Sequence, residues 1–475
     1  AISVKIKKTK MSQSSFPKTE EQILGFWQEK KIFEKTLTQT APKGDFVFYD
    51  GPPFATGLPH YGHIIAGTIK DVVPRYKTMQ GFRVQRRWGW DCHGLPIENL
   101  IEKEKGFETK KDIEADIAGF NQACRDSVLR YREEWKTAVA RAGRWVDMEH
   151  DYKTMDNRYI EMIWWIFKEL YCGGLIYEGY KSMHLCPRCE TTLSNFEVTL
   201  GYKEVKDLGV YVKFPISNFQ FSIFKQISND IKMYMLAWTT TGWTLPGNIA
   251  LAVGEEIDYV IAKVCGEAEY VEAGGAVLKN EFIIIAKDIL NKKHIEKDIY
   301  HFGDKIVALD VVGQLKGKDL VGLSYEPLFP DSVAEIKNDP NFKNSFKVYA
   351  GDFVSTEEGT GIVHIAPAFG EDDYQLSLKE NLPFLQHMHA DGTFKEYVSF
   401  APGKKVKTKE DPTGADVEVI KYLAAQSLLF KKEKYLHSYP HCWRCDTPLL
   451  NYATSSWFVR VTELKERLLE ANNKV

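Results

Sequence analysis

Two Cys-x-x-Cys pairs constrain this chain more than any other feature: Cys186-Pro-Arg-Cys189 and Cys442-Trp-Arg-Cys445 stand 253 positions apart. In a reducing compartment two such pairs supply the four thiolates that a tetrahedral Zn²⁺ takes up, because the two-residue spacer lets both sulfurs of a pair approach one ion. An ordinary zinc ribbon separates its pairs by about 15–20 residues. If one ion joins Cys186, Cys189, Cys442 and Cys445, everything between the pairs is an insertion whose two ends meet at the metal. Two separate metal sites, or buried structural thiols, are the competing readings.

A chain of 475 residues exceeds the size of one hydrophobic core, so two or more domains are expected. The N-terminal third alternates strand and helix. Phe46–Tyr49 reads as a short strand broken by a turn at Asp50–Pro53. A helix runs from about His60, with apolar Ile64, Ile65, Ile69, Val72, Val73, Tyr76 and Met79 on its repeat, a kink at Pro74 and an end at Gly81. Phe82–Val84 reads as the next strand, Trp88–Pro96 as a second turn, and helical segments follow over about Asp112–Gly143 and Arg158–Gly173. This order predicts an α/β fold with a parallel sheet and ligands at the carboxyl ends of its strands. From Gly201 to about Lys263 the pattern changes to short alternating runs, among them Gly209–Phe214 and Met233–Trp238, which read as a separate β-rich domain.

A formal net charge of −3 gives no global nucleic-acid footprint. Two local basic runs stand out, Arg75, Lys77, Arg83, Arg86 and Arg87, and Lys404, Lys405, Lys407 and Lys409; such runs are most often solvated faces. Apolar stretches such as Ile160–Phe167 fall well short of the ~18 residues of a membrane span, and residues 1–16 lack the apolar core of a secretory signal. No membrane partner and a cytoplasmic location are therefore expected, with Met11 a candidate natural start.

The chemistry concentrates in two constellations. In Gly51-Pro-Pro-Phe-Ala-Thr-Gly-Leu-Pro-His-Tyr-Gly-His63, His60 and His63 share one face at a helix N-terminus, where backbone N–H groups and the dipole favour an anion, and Gly62 leaves room for a nucleotide against the backbone. Two donors at that spot suit a triphosphate, whose chemistry needs positioning and charge stabilisation. The second constellation, Trp238-Thr-Thr-Thr-Gly-Trp-Thr-Leu-Pro-Gly-Asn248, puts three threonines at the end of a strand, where plain β-formers are the ordinary explanation.

Together these segments carry a family resemblance. The His60–His63 segment resembles the HIGH motif of class I aminoacyl-tRNA synthetases, and Tyr49–Asp71 is similar to isoleucyl-tRNA synthetases. Gly89-Trp-Asp-Cys-His-Gly-Leu-Pro-Ile-Glu98 resembles the second signature of that family. The threonine segment is similar to the editing peptide of isoleucyl, valyl and leucyl enzymes, with Gly242 where the family commonly has Pro. Its partner is Gly359-Thr-Gly-Ile-Val-His-Ile-Ala-Pro-Ala-Phe-Gly-Glu-Asp-Asp373. The resemblance spans nearly the whole chain, and the Trp-Asp-x-His-Gly-Leu-Pro run favours isoleucine over valine or leucine.

What the resemblance implies is specific. The fold would be a class I Rossmann-like nucleotide-binding fold, interrupted by a β-rich inserted editing domain on a zinc-bound stem. His60, Gly62 and His63 would serve activation, Pro52, Pro53, Asp91 and His93 would bind the amino acid, and Asp91 would hold its ammonium group. Thr239, Thr240, Thr241, Asn248, His364 and Asp373 would form the editing site, with Asp373 anchoring the ammonium group of the misacylated product. ATP with Mg²⁺, L-isoleucine and tRNA(Ile) would be the partners of a monomer, and zinc would be structural. Residues 1–45 would be an N-terminal extension and helix, 46–180 the first half of the catalytic domain, and 181–204 the first stem strands. Residues 205–430 would be the editing domain, 431–450 the second stem strands, and 451–475 the return to the catalytic domain. No Lys-Met-Ser-Lys-Ser-like loop is present, and the chain stops at Val475 in an amphipathic helix, Thr462–Ala471, so a truncated sequence is expected. Such a fragment should activate isoleucine poorly; robust isoleucine-dependent ATP–pyrophosphate exchange would overturn that expectation. A freestanding hydrolase of mischarged tRNA, a valyl or leucyl enzyme fragment, and a zinc-ribbon RNA-binding protein are the alternatives.

Overall fold

The computed structural model describes residues 15–107, 110–217, 231–267, 281–296, 299–302 and 305–474. The expectations about residues 1–14, including the start at Met11, lie outside the described residues. The chain divides into two compact units, residues 1–176 with 459–475, and residues 177–458.

In the first unit, helices surround a small parallel sheet. Strands β1 (Arg87–Trp90) and β2 (Asp147–Lys153) pair in parallel, with Gly89 opposite Tyr152 and Trp90 opposite Lys153. The helix predicted from His60 spans Tyr61–Met79 with Pro74 inside it. Four expectations need correction here. Residues 46–49 and 82–84 are not strands: each segment is extended and held by the single parallel bridge Asp45–Arg83. The second turn shrinks to residues 91–94, because 87–90 are strand and Leu95 opens a helix. The helical stretch expected over 112–143 is three helices, Lys110–Glu114, Ile117–Ser127 and Arg132–Arg141. Near the end of the chain a 3₁₀ turn, Val461–Leu464, precedes the helix Lys465–Asn472.

The core of this unit is built from aromatic plates. Trp88, Trp90 and Trp135 are buried together with Ile97, Ile101, Phe120 and Val128. The Trp88 and Trp90 rings lie 5.4 Å apart and the Trp90 and Trp135 rings 6.0 Å apart, the latter edge to face, as quadrupolar rings prefer. In the basic run from Arg75 to Arg87 only Arg86 is buried; Arg75 and Lys77 are half-buried, and Arg83 and Arg87 are exposed. Arg86 donates to Pro74 O at 2.9 Å, Arg75 pairs with Asp71 at 2.5 Å, and Arg83 pairs with Asp45 at 2.6 Å. By contrast, the helices Tyr61–Met79 and Asn157–Cys172 leave Ile65, Ile69, Val72, Met79, Trp164 and Trp165 exposed.

The second unit is β-rich. Its strands are β3 (Ile176–Cys186), β4 (Thr191–Leu193), β5 (Tyr202–Pro215), β6 (Lys232–Thr239), β7 (Ala250–Val253), β8 (Asp258–Glu267), β9 (Glu281–Ala286), β10 (His294–Glu296), β11 (Ile299–Phe302), β12 (Lys305–Lys316), β13 (Val348–Ala350), β14 (Ile362–Ile365), β15 (Leu429–Pro440) and β16 (Leu450–Val459). Eight of them form one sheet in the order β10-β11-β12-β8-β9-β6-β5-β15. Strand β15 shows why register is fixed: its burial alternates, with Tyr435, His437 and Tyr439 turned inward and Lys432, Lys434 and Leu436 outward. A slip of one residue would reverse that set, and the outward lysines discourage pairing at this edge. Strand β5 is buried on both faces through Val210–Val212 and Phe214.

The second basic run is also not a simple solvated face. Lys407 is buried, adopts a left-handed backbone (φ 52°), and sits between Asp207 and Asp416, whose Oδ2 lies 3.5 Å from its Nζ. Asp207 in turn meets His437 Nε2 at 3.0 Å. Removing the cation from such a cluster strands two buried carboxylates, a loss of about 3–5 kcal/mol. Urea unfolding of Lys407→Met should show a fall of that order; a midpoint matching the parent would mean the ion cluster is expendable.

Candidate functional site

In the first unit, the two histidines are locked by their own helix start. His60 caps the helix Tyr61–Met79: its Nδ1 accepts from Gly62 N at 3.1 Å, while His63 Nδ1 accepts from His60 N at 3.2 Å. Both Nδ1 atoms are acceptors, so a neutral ring must carry its proton on Nε2. The rings stack at 3.7 Å, and His63 also packs edge to face on Trp135 at 4.8 Å. Burial, then the charges of His60 and Lys70, push the His63 pKa down, which keeps that ring neutral. A Cβ at position 62 would stand 3.0 Å from the His60 ring, so any larger residue there would press on that imidazole.

A cavity of about 450 Å³ opens beside these rings, lined by Pro52, Pro53, His60, His63, Lys70 and Arg144 among others. Its volume is in the range of small-molecule sites. Lys70 and Arg144 both pair with Asp50, and Lys70 also donates to Gly51 O at 3.2 Å, so positive charge is fixed at its wall. Asp91 is held beside the lining by a parallel bridge to Phe54, its N–H on Pro53 O at 2.9 Å, and His93 next to it is exposed. A helix start, two imidazoles and two cations around one cavity can bind a polyanion.

In the second unit, the threonine segment leaves β6 at Thr239 and turns through a 3₁₀ helix, Gly242–Gly247. The hydroxyls form a chain. Thr239 Oγ1 lies 3.1 Å from Thr241 Oγ1 and accepts from Thr241 N; Thr244 Oγ1 donates to Thr241 O at 2.8 Å and lies 3.1 Å from His364 Nε2 on β14. Because the single Thr244 proton is committed to the carbonyl, His364 Nε2 is the donor in that contact and Nδ1 carries the lone pair. That Nδ1 is buried without a partner among the described residues, and burial pushes the ring down to about 4. A neutral, unsatisfied acceptor is therefore buried beside the threonine segment. Asp373, in the first turn of the helix Glu371–Glu380, accepts from Ala366 N at 3.3 Å; burial pushes its carboxyl up to about 7.

Three of the expected residues, Thr240, Asn248 and Asp373, stand apart from this chain, Asp373 bonding Ala366 N alone among the described residues. Asn248 is buried with its amide donating to Ala250 O at 2.9 Å and accepting from Tyr325 OH at 2.6 Å, and Thr240 is half-buried. Thr244, Trp243, His387 and Asp416, which sequence reasoning did not single out, bind the same segment: His387 Nε2 is 2.9 Å from Trp243 O, and Asp416 Oδ1 accepts from Trp243 N at 2.9 Å.

The cysteine pairs converge. The sulfurs of Cys186, Cys189, Cys442 and Cys445 all lie within 4.8 Å of one another, with Cys186–Cys445 at 3.4 Å and Cys189–Cys445 at 3.7 Å. Four thiolates at about 2.3 Å from a central Zn²⁺ would stand about 3.8 Å apart, so the donor set fits that ion.

The family model for tRNA synthetases class I (I, L, M and V) matches residues 22–475. The chain belongs to that family. Among curated relatives of this class I chain, the isoleucine–tRNA ligase of Treponema denticola is 46% identical over 97% of the chain and 41% of its own length. That of Bdellovibrio bacteriovorus is 45% identical over 96% of the chain and 39% of its length, and that of Clostridium tetani 41% identical over 97% and 40%. The class I chain thus spans about 40% of the length of these relatives. No helix among its described residues is long and apolar enough to cross a membrane.

Proposed function

We propose that this chain is part of an isoleucine–tRNA ligase, contributing half of the site that activates isoleucine with ATP and Mg²⁺ and the site that hydrolyses valyl-tRNA(Ile). Residues 46–180 are read as the activating half and 205–430 as the editing domain, with 181–204 and 431–450 as a stem around a structural zinc. The observation that carries the hydrolytic reading is the hydrogen-bonded chain Thr239–Thr241–Thr244–His364, with the unpartnered Nδ1 of His364 at its end. Such an acceptor suits a ribose hydroxyl or the attacking water, and Asp373, nine residues further on in the first turn of the next helix, suits an ammonium group. The exposed apolar faces of the helices Tyr61–Met79 and Asn157–Cys172 suit cover by further chain of the longer ligase.

A second site has an energetic reason. One methylene in an apolar pocket is worth only about 1–3 kcal/mol, a limit for which isoleucyl enzymes are themselves the standard example, so valine must be removed after activation. The test is deacylation of valyl-tRNA(Ile) and isoleucyl-tRNA(Ile) by this chain. Selective release of valine is expected; a folded chain that hydrolyses neither ester would overturn the hydrolytic reading.

A further inference from the structure

The threonine segment is gripped from two sides at a single residue, through the two peptide units that flank it. Trp243, which follows Thr241 by two residues, is buried, and its ring packs edge to face on Phe369 at 5.6 Å. Its N–H is taken by Asp416 Oδ1 at 2.9 Å and its C=O by His387 Nε2 at 2.9 Å. A carbonyl only accepts, so His387 is the donor, and its Nδ1 is left buried without a partner among the described residues. The imidazole is fully enclosed, with Phe369 at 4.5 Å and Phe394 at 5.5 Å; a Cβ on Gly247 would stand 2.7 Å from Nδ1, so only glycine fits there. Asp416 is itself anchored, through Lys407 to Asp207 and from Asp207 to His437.

Burying an imidazole and a carboxylate to hold the backbone of one residue is costly. What the two groups add is precision at the adjoining residues: Thr244 donates to Thr241 O and accepts from His364, so a shift at Trp243 moves both. We propose that His387 and Asp416 are positioning residues of the hydrolytic site, clamping the Trp243 backbone so that Thr239, Thr241, Thr244 and His364 keep one geometry. This rests on the hydrolytic reading above, and both residues act through Trp243 rather than on the substrate.

The test uses the full chain. His387→Leu and Asp416→Ala should each lower kcat for valyl-tRNA(Ile) deacylation by about 10- to 100-fold with KM changed less than about threefold, as expected of misplaced groups. His387→Gln, whose amide N–H can reach the same carbonyl, should recover most of that loss, which a purely structural role would not require. Hydrogen exchange of the peptide spanning residues 240–248 should be slow in the parent and faster in both disruptive variants. Variants that fold, deacylate at the parent kcat and keep the parent's exchange protection would overturn the proposal. If the parent itself hydrolyses no aminoacyl-tRNA, the hydrolytic reading falls, and with it the positioning role; faster exchange in the variants would then support only the clamp.

Discussion

Metal analysis of the chain purified under reducing conditions should return about one zinc ion per molecule, and Cys189→Ser or Cys442→Ser should each abolish it. The expectation follows from the sulfurs themselves. Hydrogen bonding to Cys189, Cys442 and Cys445, reinforced by burial, pushes the Cys186 thiol far up, while the same neighbours push Cys445 down. Four thiolates this close repel, and only a cation among them lets all four ionise. When bound, the ion supplies a covalent-strength tie between residues 253 positions apart. Structural zinc is worth roughly 10–16 kcal/mol in zinc-finger peptides, where binding is folding. Here the eight-stranded sheet has its own core, so loss of the ion should cost several kcal/mol, visible as a chelator-dependent fall in the melting temperature. Two separate sites would behave differently, because a serine in one pair would then leave the other pair's metal in place. Half-retention of zinc by Cys442→Ser would therefore sink the single shared ion.

The same cysteine site shows what a sequence can and cannot disclose. Spacing within a pair is local, and ligand number is chemistry, so one site joining Cys186, Cys189, Cys442 and Cys445 was legible as one reading beside two separate sites or structural thiols, and the fold brings the four sulfurs together. His60 and His63 were readable for a related reason: three residues apart at a helix start, they can hardly avoid meeting. Strands were harder. Residues 46–49 and 82–84 have strand-like composition, but a ladder needs a partner over several residues, and the one bridge between these stretches is Asp45–Arg83. Membership of a motif also says nothing of side-chain direction, which is how Asn248 comes to spend its amide on Ala250 and Tyr325. His387 and Asp416 were invisible because their partner is Trp243, 144 and 173 positions away. Lys407 looked like one more surface lysine until its two buried carboxylates were seen.

Replacing Asp373 should make the chain more stable and less active, in a way that depends on pH. The folded carboxyl titrates near 7 against an ordinary value of 3.8, so between those limits the folded state binds more protons than the unfolded one. Stability contributed by this group is therefore full at about pH 4 and below, and is lost as pH rises through 7. Asp373→Asn removes that penalty: at pH 8 it should melt higher than the parent, and near pH 4 the two should coincide. A site that holds an uncompensated carboxylate is poised for a cation, and the ammonium group of a misacylated tRNA would supply one. Loss of that anchor should lower kcat/KM for valyl-tRNA(Ile) deacylation by about 10²–10³-fold in Asp373→Ala and Asp373→Asn alike, the scale of removing one charged contact in a preorganised site. Wild-type deacylation in Asp373→Asn would sink the anchoring role while leaving the stability argument intact, whereas a variant that is inactive and also destabilised at pH 8 would mean that Asp373 serves the fold, through its bond to Ala366 N, more than the chemistry.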